Sequence, residues 1–134
     1  MNRILVAYNC SPEAEKALEH AVAIADSGTE IIVLTIIPEP DSVFGIEPAE
    51  NITKDDVDSK LQIFKKEHDT SNVKLISKII QGNIVSEIIR VSEEDNCRLI
   101  VLGYKGVSKI SSFKLGNVSG EVSKKAKKPV LIIK

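Results

Sequence analysis

The chain has 134 residues, 43% of them apolar and 28% charged, with no tryptophan and a net charge of −1. That length suits one domain, residues 1–134, able to bury about two-thirds of its unfolded surface without disulfide or metal staples. The charge balance argues against a nucleic-acid binder driven by overall basicity, and no apolar run approaches the ~20 residues of a membrane span.

The opening "MNRILVAYNC" has a short apolar stretch without signal-peptide architecture, so the cytoplasm is the expected address. Residues 3–7, "RILVA", form a short buried strand. In "SPEAEKALEHAVAIADSG", residues Ala14, Ala17, Leu18, Ala21, Val22 and Ala25 recur at helical spacing. Ser11 is the expected N-cap, Pro12 the first helical residue and Gly28 the stop. The near-continuous apolar run "EIIVLTII", 30–37, suits a parallel strand covered on both faces. "PEPDSVFGIEPAEN", 38–51, is a long connection of the kind that forms lids or partner surfaces. A second helix is expected over 54–68, with Val57, Leu61 and Phe64 on one face. In 73–80, Lys74 and Lys78 alternate with apolar residues, the pattern of a half-exposed edge strand. Asn83 should cap a third helix with Val85, Ile88 and Ile89 inward. "RLIVLG", 98–103, is another buried strand. "NVSGEVSKKAKK" gives a short last helix with Val118, Val122 and Ala126 inward, and "VLIIK" closes the chain as a strand.

Five strands alternating with four helices, joined by right-handed crossovers, predict an α/β fold: a doubly wound five-stranded parallel sheet with helices on both faces. The edge character of 73–80 and the buried character of 3–7 favour strand order 3-2-1-4-5. Ligands of such sheets bind beyond the carboxyl ends of the strands where the order reverses, here between strands 1 and 4. "AYNCS" and "GYKG" flank that crevice. Cys10 then lies past the end of strand 1 and Cys97 before the start of strand 4. About five residues of rise, roughly 16 Å, separate them. A disulfide needs Cα atoms within about 7 Å, so no pairing is expected.

Charge is unevenly placed. Lys105 to Lys128 holds seven lysines and one acid, Glu121, whereas Glu39 to Asp69 holds nine acids and four lysines. Solvated helix faces and a basic surface for an anion both fit the first segment. The connection between strand 4 and the last helix, "GYKGVSKISSFKLGN", carries Gly103, Gly106 and Gly116. Glycines at 103 and 106 let backbone N–H groups approach a phosphate and can take positive φ. Gly116-Asn117 opens a helix whose free N–H groups and dipole attract anions. Lys105, Lys109 and Lys114 add candidate charge-assisted contacts. The alternative is that these glycines only make tight turns.

The G-x2-G-x9-G spacing, set after strand 4 and before the last helix, resembles the signature of the universal stress protein family. The resemblance runs over the whole chain, from "ILVAYNCSPEAEKALEHAVAIA" through "IIVLTII" and "GNIVSEIIRVSEEDNCRLIVLG" to "KKPVLIIK". It implies a regulatory module of a stress response that binds ATP or a related adenine nucleotide, with or without magnesium. It also implies a homodimer paired through strand 130–133; from charge and hydropathy, neither nucleic acid nor membrane is expected as a partner. An apolar strand at a sheet edge invites that pairing independently. The nucleotide positions it implies are Asn9, Ile36, Gly103, Lys105, Gly106, Gly116, Asn117, Val118 and Ser119, with backbone near Ala7 and Leu102 flanking the base. Two departures stand out. Asn9 and Cys10 replace an aspartate and a small residue, and Asn117 replaces the hydroxyl residue after the last glycine. Asparagine keeps hydrogen bonding but loses the charge-assisted component.

No enzyme is expected. The loop lacks G-x4-G-K-[ST], and no carboxylate pair falls at the crevice. His20 and His68 read as surface or boundary residues. Asp55, Asp56 and Asp58 crowd a helix start, where acids complement the dipole. Cys10, near a helix N-terminus, is the reactive candidate, with a small buried filler as its plainer reading. The alternatives are a dimeric interaction protein of the same fold that binds no nucleotide, and a slow ATP hydrolase.

Overall fold

The computed structural model describes residues 2–39, 52–104 and 118–134. The elements in chain order are β1 (Arg3–Ala7), α1 (Pro12–Ile24), β2 (Thr29–Ile37), α2 (Lys54–Glu67), β3 (Val73–Gln81), α3 (Ile84–Glu94), β4 (Leu99–Gly103), α4 (Val118–Lys125) and β5 (Val130–Ile133). All neighbouring strands are parallel and their order is β3-β2-β1-β4-β5. The doubly wound sheet expected from the alternation is therefore present, strand order included.

The central position of β1 follows from its side chains. Ile4, Leu5 and Val6 are all fully buried, and each such burial contributes about 1.5–3 kcal/mol. Alternation sends Ile4, Val6 and Tyr8 to one face, where they meet Ile31, Val33 and Val101 beneath α1 and α2. Leu5 and Ala7 go to the other, with Ile32, Leu34, Ile100 and Leu102 beneath α3 and α4. β3, at one edge, is half-buried along most of its length, as its interleaved lysines suggest.

Arg3 ties the amino end of β1 to both of its sides. Its Nε donates to Glu30 Oε1 on β2 at 2.8 Å, and its Nη1 donates to the Asp95 carbonyl after α3 at 3.0 Å. Asp95 in turn accepts from Lys78 Nζ of β3 at 2.6 Å.

Some local expectations need correction. α1 ends at Ile24, with Ala25 as its C-cap, so Gly28 is not the stop. Gly28 lies in the turn into β2, at φ +88°, where its N–H reaches the Asn72 carbonyl at 2.8 Å. In α3 the buried stripe is Ile84, Ile88 and Val91. Val85 and Ile89 are half-buried on its flanks, because the helix turns a slightly rotated face to the sheet. The last helix ends at Lys125, so Ala126 packs on the core from just beyond it. Asn83 caps α3 through the Ser86 N–H at 3.0 Å, and Val57, Leu61 and Phe64 are buried on α2, as expected. Neither Cys10 nor Cys97 is disulfide-bonded. Among the described residues no helix is long and apolar enough to cross a membrane.

Candidate functional site

The order of strands reverses between β1 and β4, and the residues that follow them define a crevice at the carboxyl edge of the sheet. Tyr8 carries the β1–β2 ladder one step further, its N–H donating to the Leu34 carbonyl at 2.8 Å. The chain then turns sharply. Asn9 Oδ1 accepts from the Ser11 N–H at 3.1 Å, an Asx turn, and Cys10 between them sits at φ +64°. Ser11 Oγ accepts from the Ala14 N–H at 3.1 Å and starts α1. A non-glycine residue in left-handed backbone is uncommon. Here it is the link that allows the side-chain turn and the helix cap to follow one another directly.

β4 ends on Gly103, paired with Ile133, and the Tyr104 N–H donates to the Ile133 carbonyl at 2.8 Å. A Cβ on Gly103 would stand 2.9 Å from the Glu13 carbonyl oxygen and 3.1 Å from its carbon. The first turn of α1 therefore rests directly on the end of β4. Gly103 serves close approach there; the positive-φ glycines among the described residues are Gly28 and Gly82.

On the α3/α4 face, Ala7, Leu34, Leu102, Val118 and Val122 form one buried cluster, with Ile36 packed against it. The candidates Ala7, Ile36, Leu102 and Val118 are thus brought together beneath the crevice. Ala7, Leu102, Val118 and Ser119 are buried, whereas Asn9 and Ile36 are half-exposed. The side chains of the first group are enclosed in the fold, and those of Asn9 and Ile36 are the ones with accessible surface. Lys105, Gly106, Gly116 and Asn117, together with Lys109 and Lys114, lie outside the described residues, as do 40–51 of the long connection.

Just beyond β1, on the α1/α2 face, lies a residue that sequence reasoning missed. Tyr8 is 2% exposed, and its hydroxyl donates to Glu15 Oε1 on the first part of α1. Burial first, and then the Glu15 carboxylate, hold the phenol proton far above its ordinary range. The signal in the chain is slight: an aromatic residue straight after a buried strand, with an acid seven positions on.

Residues set aside as structural have structural partners. His20 Nδ1 lies 2.9 Å from the Lys16 carbonyl, and His68 stacks on Phe64 at a centroid distance of 4.1 Å. Asp56 completes a capping box with Thr53 at the start of α2. The lysines at the far end of α4 pair within the chain: Lys125 with Glu121 at 3.1 Å, Lys127 with Glu93 at 3.7 Å, and Lys128 with Asn96 Oδ1 at 3.2 Å. They lie at and beyond the carboxyl end of that helix, away from the crevice, and behave as a solvated face. Among the described residues no cluster of three His, Cys, Asp or Glu is placed to hold a metal ion.

Comparison with known proteins converges on one group. The family model described as "Universal stress protein family" matches residues 1–134. Universal stress protein MJ0577 of Methanocaldococcus jannaschii is 28% identical over 152 residues, covering 98% of this chain and 94% of the relative. YxiE of Bacillus subtilis, also a universal stress protein, is 29% identical over 148 residues, covering 99% of each. The solved structure of MJ0577 superposes with a TM-score of 0.75 at 30% identity over 98% of this chain and 94% of that one. A universal stress protein in complex with cAMP superposes with a TM-score of 0.72 at 21% identity, over 99% and 97% of the two chains.

Proposed function

The chain belongs to the universal stress protein family, and from that membership and the crevice between β1 and β4 we propose that it binds ATP or a related adenine nucleotide as a regulatory module. The observation that carries this reading is the convergence at the reversal of strand order. Asn9 leaves β1 there, and Gly103 leaves β4. The β4–α4 connection that follows contains the G-x2-G-x9-G spacing, whose glycines suit backbone approach to phosphates. Asn9 and Ile36 provide the accessible side-chain surface for a base, over a floor of Ala7, Leu102 and Val118. Phosphates belong to the Gly106 to Ser119 segment, with Lys105 as a cationic contact and magnesium as an optional companion. The relative solved with cAMP shares this fold, which makes cAMP one of the nucleotides to titrate.

The same reading includes a homodimer joined through β5, whose Val130, Leu131, Ile132 and Ile133 are each half-buried at the sheet edge. It includes no catalytic step and a cytoplasmic setting.

Calorimetric titration with ATP, with and without magnesium, tests the proposal beside a Gly106→Val variant. Micromolar binding that the variant loses is expected. Absence of heat up to millimolar nucleotide would overturn the proposal and favour the dimeric interaction protein that binds none.

A further inference from the structure

Between Tyr8 and Glu15 the chain leaves β1, turns beside the reversal of strand order and enters α1. Cys10, in the middle of that turn, sits at φ +64°, a conformation a non-glycine residue keeps only where its surroundings impose it. Asn9 Oδ1 accepts from the Ser11 N–H, and Ser11 accepts from Ala14 through Oγ and from Glu15 through its carbonyl. Those bonds are local to the turn and to α1. Tyr8 supplies a link of another kind. Its ring is buried in one cluster with Ile4, Val6, Ile31 and Val33 of the sheet, and its hydroxyl donates to Glu15. The bond therefore joins the sheet to the first turn of α1, straight across the β1–α1 turn. Burial and Glu15 hold the phenol proton well above its ordinary range, so the donor persists through neutral and mildly alkaline solution. The contact of Gly103 with the Glu13 carbonyl limits how closely that helical turn approaches β4. A hydrogen bond at Glu15 also limits how the turn rotates.

We propose that Tyr8 and Glu15 form a clasp that holds the β1–α1 turn in one shape, which makes Tyr8 a positioning residue for the crevice although it does not line it. With the clasp open, the start of α1 can rotate against Gly103 and Cys10 can leave the left-handed region. That much concerns the protein alone. The further consequence, that the clasp strengthens ligand binding, rests on the nucleotide reading above. It requires no particular contact between the turn and a nucleotide. It requires only that one wall of the crevice be preformed, because a preformed site loses less to ordering when it binds.

Cys10 reports on the turn directly, because it is half-buried against the same core cluster as Tyr8. Its reaction with Ellman's reagent is timed in wild type, Tyr8→Phe, Glu15→Ala, Glu15→Gln and the Tyr8→Phe/Glu15→Ala double variant. ATP is titrated calorimetrically into wild type and Tyr8→Phe, which keeps the buried ring. Tyr8→Phe and Glu15→Ala should each speed the Cys10 reaction about fivefold, and the double variant no further, while Cys97 stays masked. Glu15→Gln, whose amide oxygen still accepts, should react at nearly the wild-type rate. ATP should bind Tyr8→Phe about fivefold more weakly than wild type. A Cys10 rate unchanged by Tyr8→Phe overturns the clasp. So does a parallel rise at Cys97, the mark of a fold loosened throughout. A faster Cys10 with unchanged ATP affinity overturns the positioning role and leaves the nucleotide reading standing. Wild type that binds no nucleotide overturns that reading, and the thiol rates then decide the clasp by themselves.

Discussion

Gly103 and Glu13 meet so closely that a Cβ on the glycine would stand 2.9 Å from the Glu13 carbonyl oxygen. The obstructing atom is backbone, held by the first turn of α1, and cannot swing aside as a side-chain tip would. Gly103→Ala should therefore destabilise the protein by about 1–3 kcal/mol, read as a lower midpoint in urea unfolding. Because α1 would be lifted off β4, the same substitution should also weaken nucleotide binding. A variant as stable as wild type would show that α1 does not depend on this contact.

The buried Tyr8 hydroxyl should be felt in alkaline solution. Its phenol is raised above the ordinary value of 10.0 by burial and by Glu15, so the folded state holds a proton that the unfolded chain releases. Its contribution is complete below about pH 10 and declines as pH rises further. Tyr8→Phe should cost about 1 kcal/mol at neutral pH. Wild type should lose stability faster than the variant above about pH 10, measured by urea unfolding at stepped pH. Parallel profiles would place the Tyr8 proton elsewhere.

The two cysteines should separate by reactivity. Cys97 is fully buried, and burial, with the Asp95 charge next, pushes its thiol up to about 11. Cys10 is half-buried in the turn that opens α1. Native protein at about pH 8 should react rapidly with Ellman's reagent at one thiol and release the second only on denaturation. Cys10→Ser should remove the fast phase. Two fast thiols would mean that the amino end of β4 opens readily.

The edge strand allows a test of the homodimer that spares the fold. The Ile100 N–H donates to the Pro129 carbonyl at 2.9 Å and the Tyr104 N–H to the Ile133 carbonyl at 2.8 Å. Alternate residues of β5 thus face β4, leaving the backbone of Val130 and Ile132 directed outward. Ile132→Pro removes an outward donor, a position where edge strands tolerate proline. Wild type should sediment as a dimer and the variant as a folded monomer. A monomeric wild type would remove β5 pairing from the proposal.

Much of this architecture is legible in the chain. The lysines of β3 against the apolar β1 are enough to order the strands, because burial on two faces and on one leave different patterns. That order places Asn9 and Gly103 at a common crevice. The rotation of α3 is not legible: Ile84, Val85, Ile88 and Ile89 offer two overlapping apolar stripes, and only packing selects one. The Tyr8–Glu15 bond and the Gly103–Glu13 contact depend on how α1 crosses the sheet, which no local pattern encodes. G-x2-G reads equally as a phosphate cradle and as a packing device, and at Gly103 the packing role has a visible cause.

Arg3 bonds across 27 positions to Glu30 and across 92 to Asp95. The strand nearest the start of the chain therefore stays open on one side until residues far along the sequence arrive. β2 can cover one side of β1 early, but the other side waits for β4, and closing so long a loop precedes any reward from the contacts it makes. A chain emerging from the ribosome would hold one bare edge of this mostly apolar strand until Gly103 and the segment behind it are free. Folding speed and the hazard of aggregation are thus set far along the sequence from Arg3, by how soon β4 arrives.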